Sequence, residues 1–245
     1  MDHSALQSML AVPDMDRFKK VLCVQPHPDD NEIGMGATIA KLTDGGCRVD
    51  YLTITNGDLG NLGMEISPPE LAAIRKSEAE ASGKKLGATD FYWFSHPDGT
   101  LNDIPSLAGE IAELIRTNRY DAVFAPDPWL LNEAHYDHVV TGKAVAQAAI
   151  NCSLKTYPRA TETAAWQIEA VGFYFTSAPN TLPVVTPYFE RKFEAMSLHK
   201  TQLPQQLIDL YRGFFEMQGK LLSGGDDICE GLKILAPLHL HCFNG

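Results

Sequence analysis

The chain alternates short apolar runs with helical stretches, and that alternation constrains its fold more than any other feature. Lys20 to Gln25 (KVLCVQ) is an apolar, β-branched run stopped by Pro26, which reads as a buried strand. Gly34 to Asp44 (GMGATIAKLTD) has a helical pattern, with Ile39 and Leu42 on one face and Gly45-Gly46 as a C-terminal stop. Arg48 to Thr55 (RVDYLTIT) is a second strand. Strand, turn, helix and strand in that order make a βαβ unit, so the two strands run parallel with a right-handed crossover.

The theme repeats along the chain. Pro69 to Leu86 is helical, Asp90 to Phe94 is a strand, Ile104 to Thr117 is helical, Asp121 to Ala125 (DAVFA) is a strand, and a helix runs from about Asp137 to Ala149. The pattern predicts an α/β fold: a Rossmann-like, doubly wound, mostly parallel sheet with helices on both faces. The last third is less regular, with strands expected at 171–176 and 183–187 and helices at 188–198 and 205–222. No Ser/Gly linker or internal repeat divides the chain. The expectation is therefore one domain over 1–245, with 1–18 as a polar lead-in and about 160–245 walling in a site.

Ligands of such a sheet lie beyond the carboxyl ends of its strands. His27, Asp29 and Asp30 stand directly past the first strand, in the turn Pro26-His27-Pro28-Asp29-Asp30. Imidazole and carboxylate together suit zinc, and catalytic zinc usually takes three protein ligands and a water. This turn offers two ligands and needs a third. The strand DAVFA also runs into a polar segment, which reaches Glu133-Ala134-His135-Tyr136-Asp137-His138. If that segment opens the next helix, His135 and His138 are i and i+3 and share a face. One can complete a metal site and the other can act on a substrate, provided that the first and fourth strands are neighbours.

Taken singly, either segment also matches a solvated loop with a helix cap, Asp30 or Asn31 being the cap. Together, at strand ends of one sheet, they converge on a site. Gly34 and Gly36 do not make a dinucleotide turn, because IGMGAT lacks the third glycine and the acidic turn repels pyrophosphate. Small residues there let a helix pack closely on the sheet. No G-x-S-x-G elbow or catalytic-cysteine pattern occurs, which leaves metal-activated water as the economical nucleophile. On the residues alone, an amidase, a phosphoesterase and a non-catalytic Rossmann-like module for metal or nucleotide all remain open.

Charge narrows the partners. With 20 Lys and Arg against 31 Asp and Glu, the net charge is −11, and no basic run marks a nucleic-acid or anionic-membrane surface. A small neutral or cationic substrate fits better. Five cysteines, at 23, 47, 152, 229 and 242, are scattered without C-x-x-C spacing and read as core residues of a reducing compartment. With no long apolar run and no secretory pattern, the expectation is a cytoplasmic protein.

PHPDDNEIGMGATI together with AHYDH resembles the LmbE-like, or PIG-L-like, zinc de-N-acetylase family. That family's signature pairs a His-Pro-Asp-Asp turn after the first strand with a His-Pro-Asp-His segment after a later one. Tyr136 stands here where proline is usual. The likeness continues through 74–88, 92–101, 123–129, 193–202 and 230–241, and looks most like the N,N′-diacetylchitobiose deacetylase branch. It implies an LmbE-like fold and hydrolysis of an N-acetyl sugar of the N-acetylglucosamine type, releasing acetate. It implies zinc, with iron(II) an alternative in vivo, held by His27, Asp30 and His138, and Asp29 as general base. A protonated His135 would be acid and oxyanion stabiliser, with Asp137 as its partner; Arg75 and Asp98 would hold the sugar. His241 matches a histidine that can reach a neighbouring subunit's site, so a homo-oligomer, trimer or hexamer, is implied. His199 and Gln202 read as packing or supporting residues, and His96 has no assigned role.

Overall fold

The apolar runs become the strands of a single sheet whose central members are shielded on both faces. A computed structural model describes residues 11–241 of the chain; residues 1–10 of the expected lead-in and Cys242 lie outside them. The strands are β1 (Lys20–Gln25), β2 (Arg48–Thr55), β3 (Phe91–His96), β4 (Ala122–Pro126), β5 (Ala170–Tyr174) and β6 (Lys233–Leu235). Their spatial order is β3-β2-β1-β4-β5-β6, and only β6 pairs antiparallel. The sheet is the doubly wound, mostly parallel one that the alternation predicts.

The helices are α1 (Asp30–Asp44), α2 (Pro68–Leu86), α3 (Ile104–Asn118), α4 (Tyr136–Asn151), α5 (Phe189–Met196) and α6 (Gln205–Ser223). Along β1, Leu22 and Val24 point into a core shared with α3 and α4, while Val21 and Cys23 point into one shared with α1 and the end of α2. This two-residue period on a strand buried on both faces is why the sequence run is continuously apolar. A third cluster joins α1 to α5 and α6 through Ala37, Phe193 and Ile208.

Two expectations change. PVVTP (183–187) is not a strand: Val184 makes one isolated bridge to Cys229, and Thr186–Tyr188 is a short 3-10 turn. Pro183 and Pro187 have no amide to give a ladder, and that outweighs the β-branched valines. The first helix begins at Asp30 rather than Gly34. Its opening residues are acidic and polar, so they read as loop until the helix is seen to start inside the functional turn.

β1 lies between β2 and β4, the point at which strand order reverses. The turn after β1 and the segment after β4 therefore border one crevice, where a doubly wound sheet binds its ligands. Among the described residues, no helix is long and apolar enough to cross a membrane.

Candidate metal and catalytic site

The turn after β1 is built by polar groups that the strand itself supplies. Gln25, buried at the end of the apolar run, accepts from the amide of Asn31 at 3.1 Å and donates to Thr53 Oγ1 at 2.9 Å. The Pro26 carbonyl accepts from both the amide (3.0 Å) and the hydroxyl (2.8 Å) of Thr55. Asp29, at the cap of α1, holds a φ of 146°, a conformation rarely adopted by residues other than glycine. Such strain costs about 1–3 kcal/mol and persists where surrounding contacts enforce it.

Arg75 supplies much of that enforcement. Its side chain, 4% exposed, donates from Nη1 to Gly57 O at 2.8 Å and from Nη2 to Pro28 O at 3.2 Å and Asp29 Oδ2 at 3.4 Å. The guanidinium thus ties α2 to the turn and to the Asp29 carboxylate.

Asp30 is the centre of the cluster. Its Oδ2 lies 3.2 Å from His27 Nδ1 and its Oδ1 lies 3.2 Å from His138 Nε2. Unprotonated nitrogen and carboxylate oxygen are both lone-pair donors, so these approaches call for a proton or a cation between them. His27 Nε2 faces two further carboxylates, Asp98 Oδ1 at 3.2 Å and Asp137 Oδ2 at 3.4 Å. A ligating histidine backed by carboxylate on its other nitrogen is the usual arrangement at a metal. Nitrogens of His27, His135 and His138 also lie within 4.8 Å of one another. Two histidines and one carboxylate, backed by two more carboxylates, fit a divalent cation of the zinc or iron(II) kind.

The electrostatics separate neighbouring groups. Burial pushes Asp29 up to about 6, with Arg75 pulling against it. Burial acts on Asp30 too, but His138 and His27 overcome it and hold this carboxyl well below its ordinary value. Against burial, Asp137, Asp30 and Asp98 together push His27 up to about 12. That is the proton-holding power of a carboxylate excess that a cation would neutralise. His135 moves the other way: burial and then the charges on His27 and His138 lower it, so its imidazole rests neutral at pH 7.

His27, Asp29, Asp30, His135, Asp137 and His138 thus meet in one crevice, with Arg75 against Asp29 and Asp98 against His27. Arg75 is buried behind Asp29, and Asp98, 7% exposed, is turned onto His27 while accepting from the Leu59 amide at 3.3 Å. Asp137 is placed against His27 and the amides of Gly99 (2.8 Å) and Leu101 (3.2 Å), not paired to His135. His241 is exposed after the 3-10 turn that follows β6. His199 is buried 3.5 Å from Glu32, and Gln202 donates to Gly60 O at 2.8 Å, both supporting roles. His96 lies 3.5 Å from Glu110, outside the cluster.

The sequence reading missed Glu133, whose Oε2 lies 3.4 Å from His138 Nδ1, and Phe175, whose ring stacks on His138 at 5.9 Å and 9°. Glu133 had a signal, since it stands five residues before His138 in the same segment; Phe175 had none beyond its place after β5. A cavity of about 620 Å³ opens beside Asp30 and His138, walled by Phe175, Tyr211, Phe214 and Phe215.

Known proteins are similar to this chain in sequence and fold. Residues 22–149 match PIG-L, the GlcNAc-PI de-N-acetylases. A diacetylchitobiose deacetylase of Thermococcus kodakarensis is 35% identical over 248 residues, covering 97% of this chain and 92% of its own. A probable N-acetyl-α-D-glucosaminyl L-malate deacetylase 2 of Bacillus cereus is 28% identical, covering 79% of this chain and 88% of its own. Among solved structures, N,N′-diacetylchitobiose deacetylase from Pyrococcus horikoshii superposes with a TM-score of 0.89 at 32% identity, covering 97% and 91% of the two chains. Fold, site and relatives together define a sugar amide hydrolase on a Rossmann-like sheet. The chain belongs to the PIG-L, or LmbE-like, family of de-N-acetylases. Its reaction is hydrolysis of the N-acetyl amide of an N-acetylglucosamine-type sugar, which yields acetate and an amino sugar.

Proposed function

We propose that the chain is a zinc-dependent deacetylase of a chitobiose-like N-acetylated disaccharide, with the metal held by His27, Asp30 and His138. The observation that carries this reading is the Asp30 carboxylate, with one oxygen 3.2 Å from a nitrogen of each histidine. Zinc, or iron(II) in vivo, supplies a Lewis acid there that polarises the amide carbonyl and lowers the pKa of water to about 7. Asp29, beside the ligand but turned to Arg75, takes the proton of the attacking water. A carboxyl near 6 is basic enough to accept that proton and acidic enough to pass it to the departing amine. His135, neutral at rest, donates its N–H to the developing oxyanion, a role open to a neutral imidazole.

Asp98 and Asp137 fix the tautomer of His27 by accepting at Nε2. Arg75 positions Asp29. The aromatic cavity beside Asp30 falls in the size range of small-molecule sites and offers ring faces for a second pyranose. The whole chain acts as one cytoplasmic domain, in a trimer or hexamer in which His241 reaches a neighbouring subunit's site.

The deciding experiment is acetate release from N-acetylglucosamine, N,N′-diacetylchitobiose and other N-acetyl sugars, with metal analysis of the same protein. The proposal expects release from the disaccharide, lost on chelation and restored by zinc. Release unaffected by chelation would end the metal assignment, and a preference for another conjugate would end the disaccharide assignment.

A further inference from the structure

α1 is not one regular helix. Met35, inside it, has φ −149° and ψ 26°, so a short opening segment that begins with Asp30 is set at an angle to the rest. In an unbroken helix the amide of Ala37 donates to the carbonyl of Ile33, one turn earlier. Here both groups take side-chain partners from distant parts of the chain. Ile33 O accepts from Lys192 Nζ at 2.8 Å, and the Ala37 amide donates to Glu230 Oε1 at 3.3 Å. Glu230 Oε2 accepts from the amide and the hydroxyl of Thr38, each at 2.7 Å. Lys192 and Glu230 then close on each other at 2.7 Å.

An ion pair is therefore inserted into the backbone ladder, the ammonium in place of an amide and the carboxylate in place of a carbonyl. Insertion of side chains into the ladder is a recognised cause of a sharp helix kink. Lys192 is 1% exposed and sits 4.1 Å over the Phe215 ring, so its charge is committed to the break and not to a ligand in the adjoining cavity. Gly36, at the break, leaves room for this side chain: a Cβ there would stand 3.2 Å from Lys192 Cγ.

The net stability gained from a buried ion pair is small, and apolar replacements of similar volume are often tolerated. What this pair controls is direction. On one side of the break is the packed body of α1; on the other is Asp30, whose two oxygens must face His27 and His138 together. We infer that Lys192 and Glu230 are positioning residues that hold α1 open at Met35 and so aim the Asp30 carboxylate at the metal position. The inference rests on the reading of His27, Asp30 and His138 as ligands. Removing both members of the pair lets the ladder close, straightens α1 and turns Asp30 away.

The test is zinc affinity, measured by competition with a chromophoric chelator, for the wild type, Lys192→Met/Glu230→Met and Glu230→Gln, alongside thermal unfolding of each metal-free protein. Supporting groups around a metal ligand typically affect its affinity 10–100-fold. The double variant is expected to stay folded and bind zinc about 10–100-fold more weakly, with Glu230→Gln between it and the wild type. A pair that only stabilised the fold would lower the unfolding temperature and leave affinity within about twofold of wild type, which would overturn the inference. If the double variant does not fold, Glu230→Gln decides by the same comparison. A wild type that binds no zinc would instead refute the ligand assignment itself.

Discussion

Replacing Asp29 by asparagine tests the division of labour in the turn, because it should stabilise the metal-free protein while abolishing turnover. The carboxyl is buried, and its pKa rises from 3.8 to about 6 on folding. The native state thus holds a proton more firmly than the unfolded chain does. This contribution to stability is fully present below about 3.8 and is lost as the pH rises through about 6. At pH 7 the ionised group disfavours the native state by roughly 3 kcal/mol, from a shift of about two units at 1.36 kcal/mol each. The attraction of Arg75 is already counted in that shift.

Asparagine carries no charge at any of these pH values and nearly the same shape, and Arg75 keeps the carbonyls of Gly57 and Pro28. Asp29→Asn should therefore gain up to about 3 kcal/mol at pH 7, or about 6–12 °C in Tm for a chain of this size. Urea and thermal unfolding with chelator present, from pH 4 to 8, measure it. The advantage should be near zero at pH 4, grow up to pH 6 and then level off, while acetate release is lost throughout. A difference that stays flat across this range, or a wild type more stable at pH 7, would refute the argument that burial sets the Asp29 pKa.

The remaining substitutions separate the other roles. His138→Ala should release the metal in equilibrium dialysis, and full retention would remove His138 from the ligand set. His135→Ala should keep the metal and lower the catalytic rate by about 10²–10⁴-fold; a normal rate would end its assignment. Arg75→Met removes the cation that pulls Asp29 down, so the acid limb of the kcat/KM profile should move up by about 1–3 pH units. An unmoved limb would mean that a group other than Asp29 sets it.

The fold was legible where the chain is buried on both faces of the sheet. β1 and β4 are largely apolar, and β2, although it carries Asp50, Thr53 and Thr55, is buried along nearly its whole length. Legibility failed where local preference and tertiary demand diverge. Val184-Val185 has strand propensity, but the flanking prolines cannot donate, while Lys233–Leu235 forms the short antiparallel edge strand from an unremarkable stretch. The turn and histidine segment were legible because their spacing lies within a few residues and both stand at strand ends. The supporting groups were not, because their direction is set by packing. Asp137 and His138 are consecutive on a helix and so point about 100° apart: one reaches Asp30, the other the loop after β3 and the far nitrogen of His27. No spacing rule could have paired Asp137 with His27, or Arg75 with Asp29 across 46 positions.

That same dependence on packing explains how two adjacent aspartates come to do different work. In sequence they are equivalent, and in water they would titrate together. The strained φ at Asp29 turns the two side chains apart at the start of α1, so each meets a different environment. Asp30 stands between two imidazoles that keep it ionised even though it is buried. Asp29 meets burial offset only in part, first by the Arg75 guanidinium and then by His199 and His27, and it stays close enough to neutrality to exchange a proton. Environments that drive like groups apart are how acid, base and ligand roles are assigned from identical chemistry. Here the separation depends on a backbone conformation that costs about 1–3 kcal/mol and is enforced through Arg75 and Gln25. A change that relaxes the φ of Asp29 should therefore impair metal binding and proton transfer together, though it touches neither carboxylate.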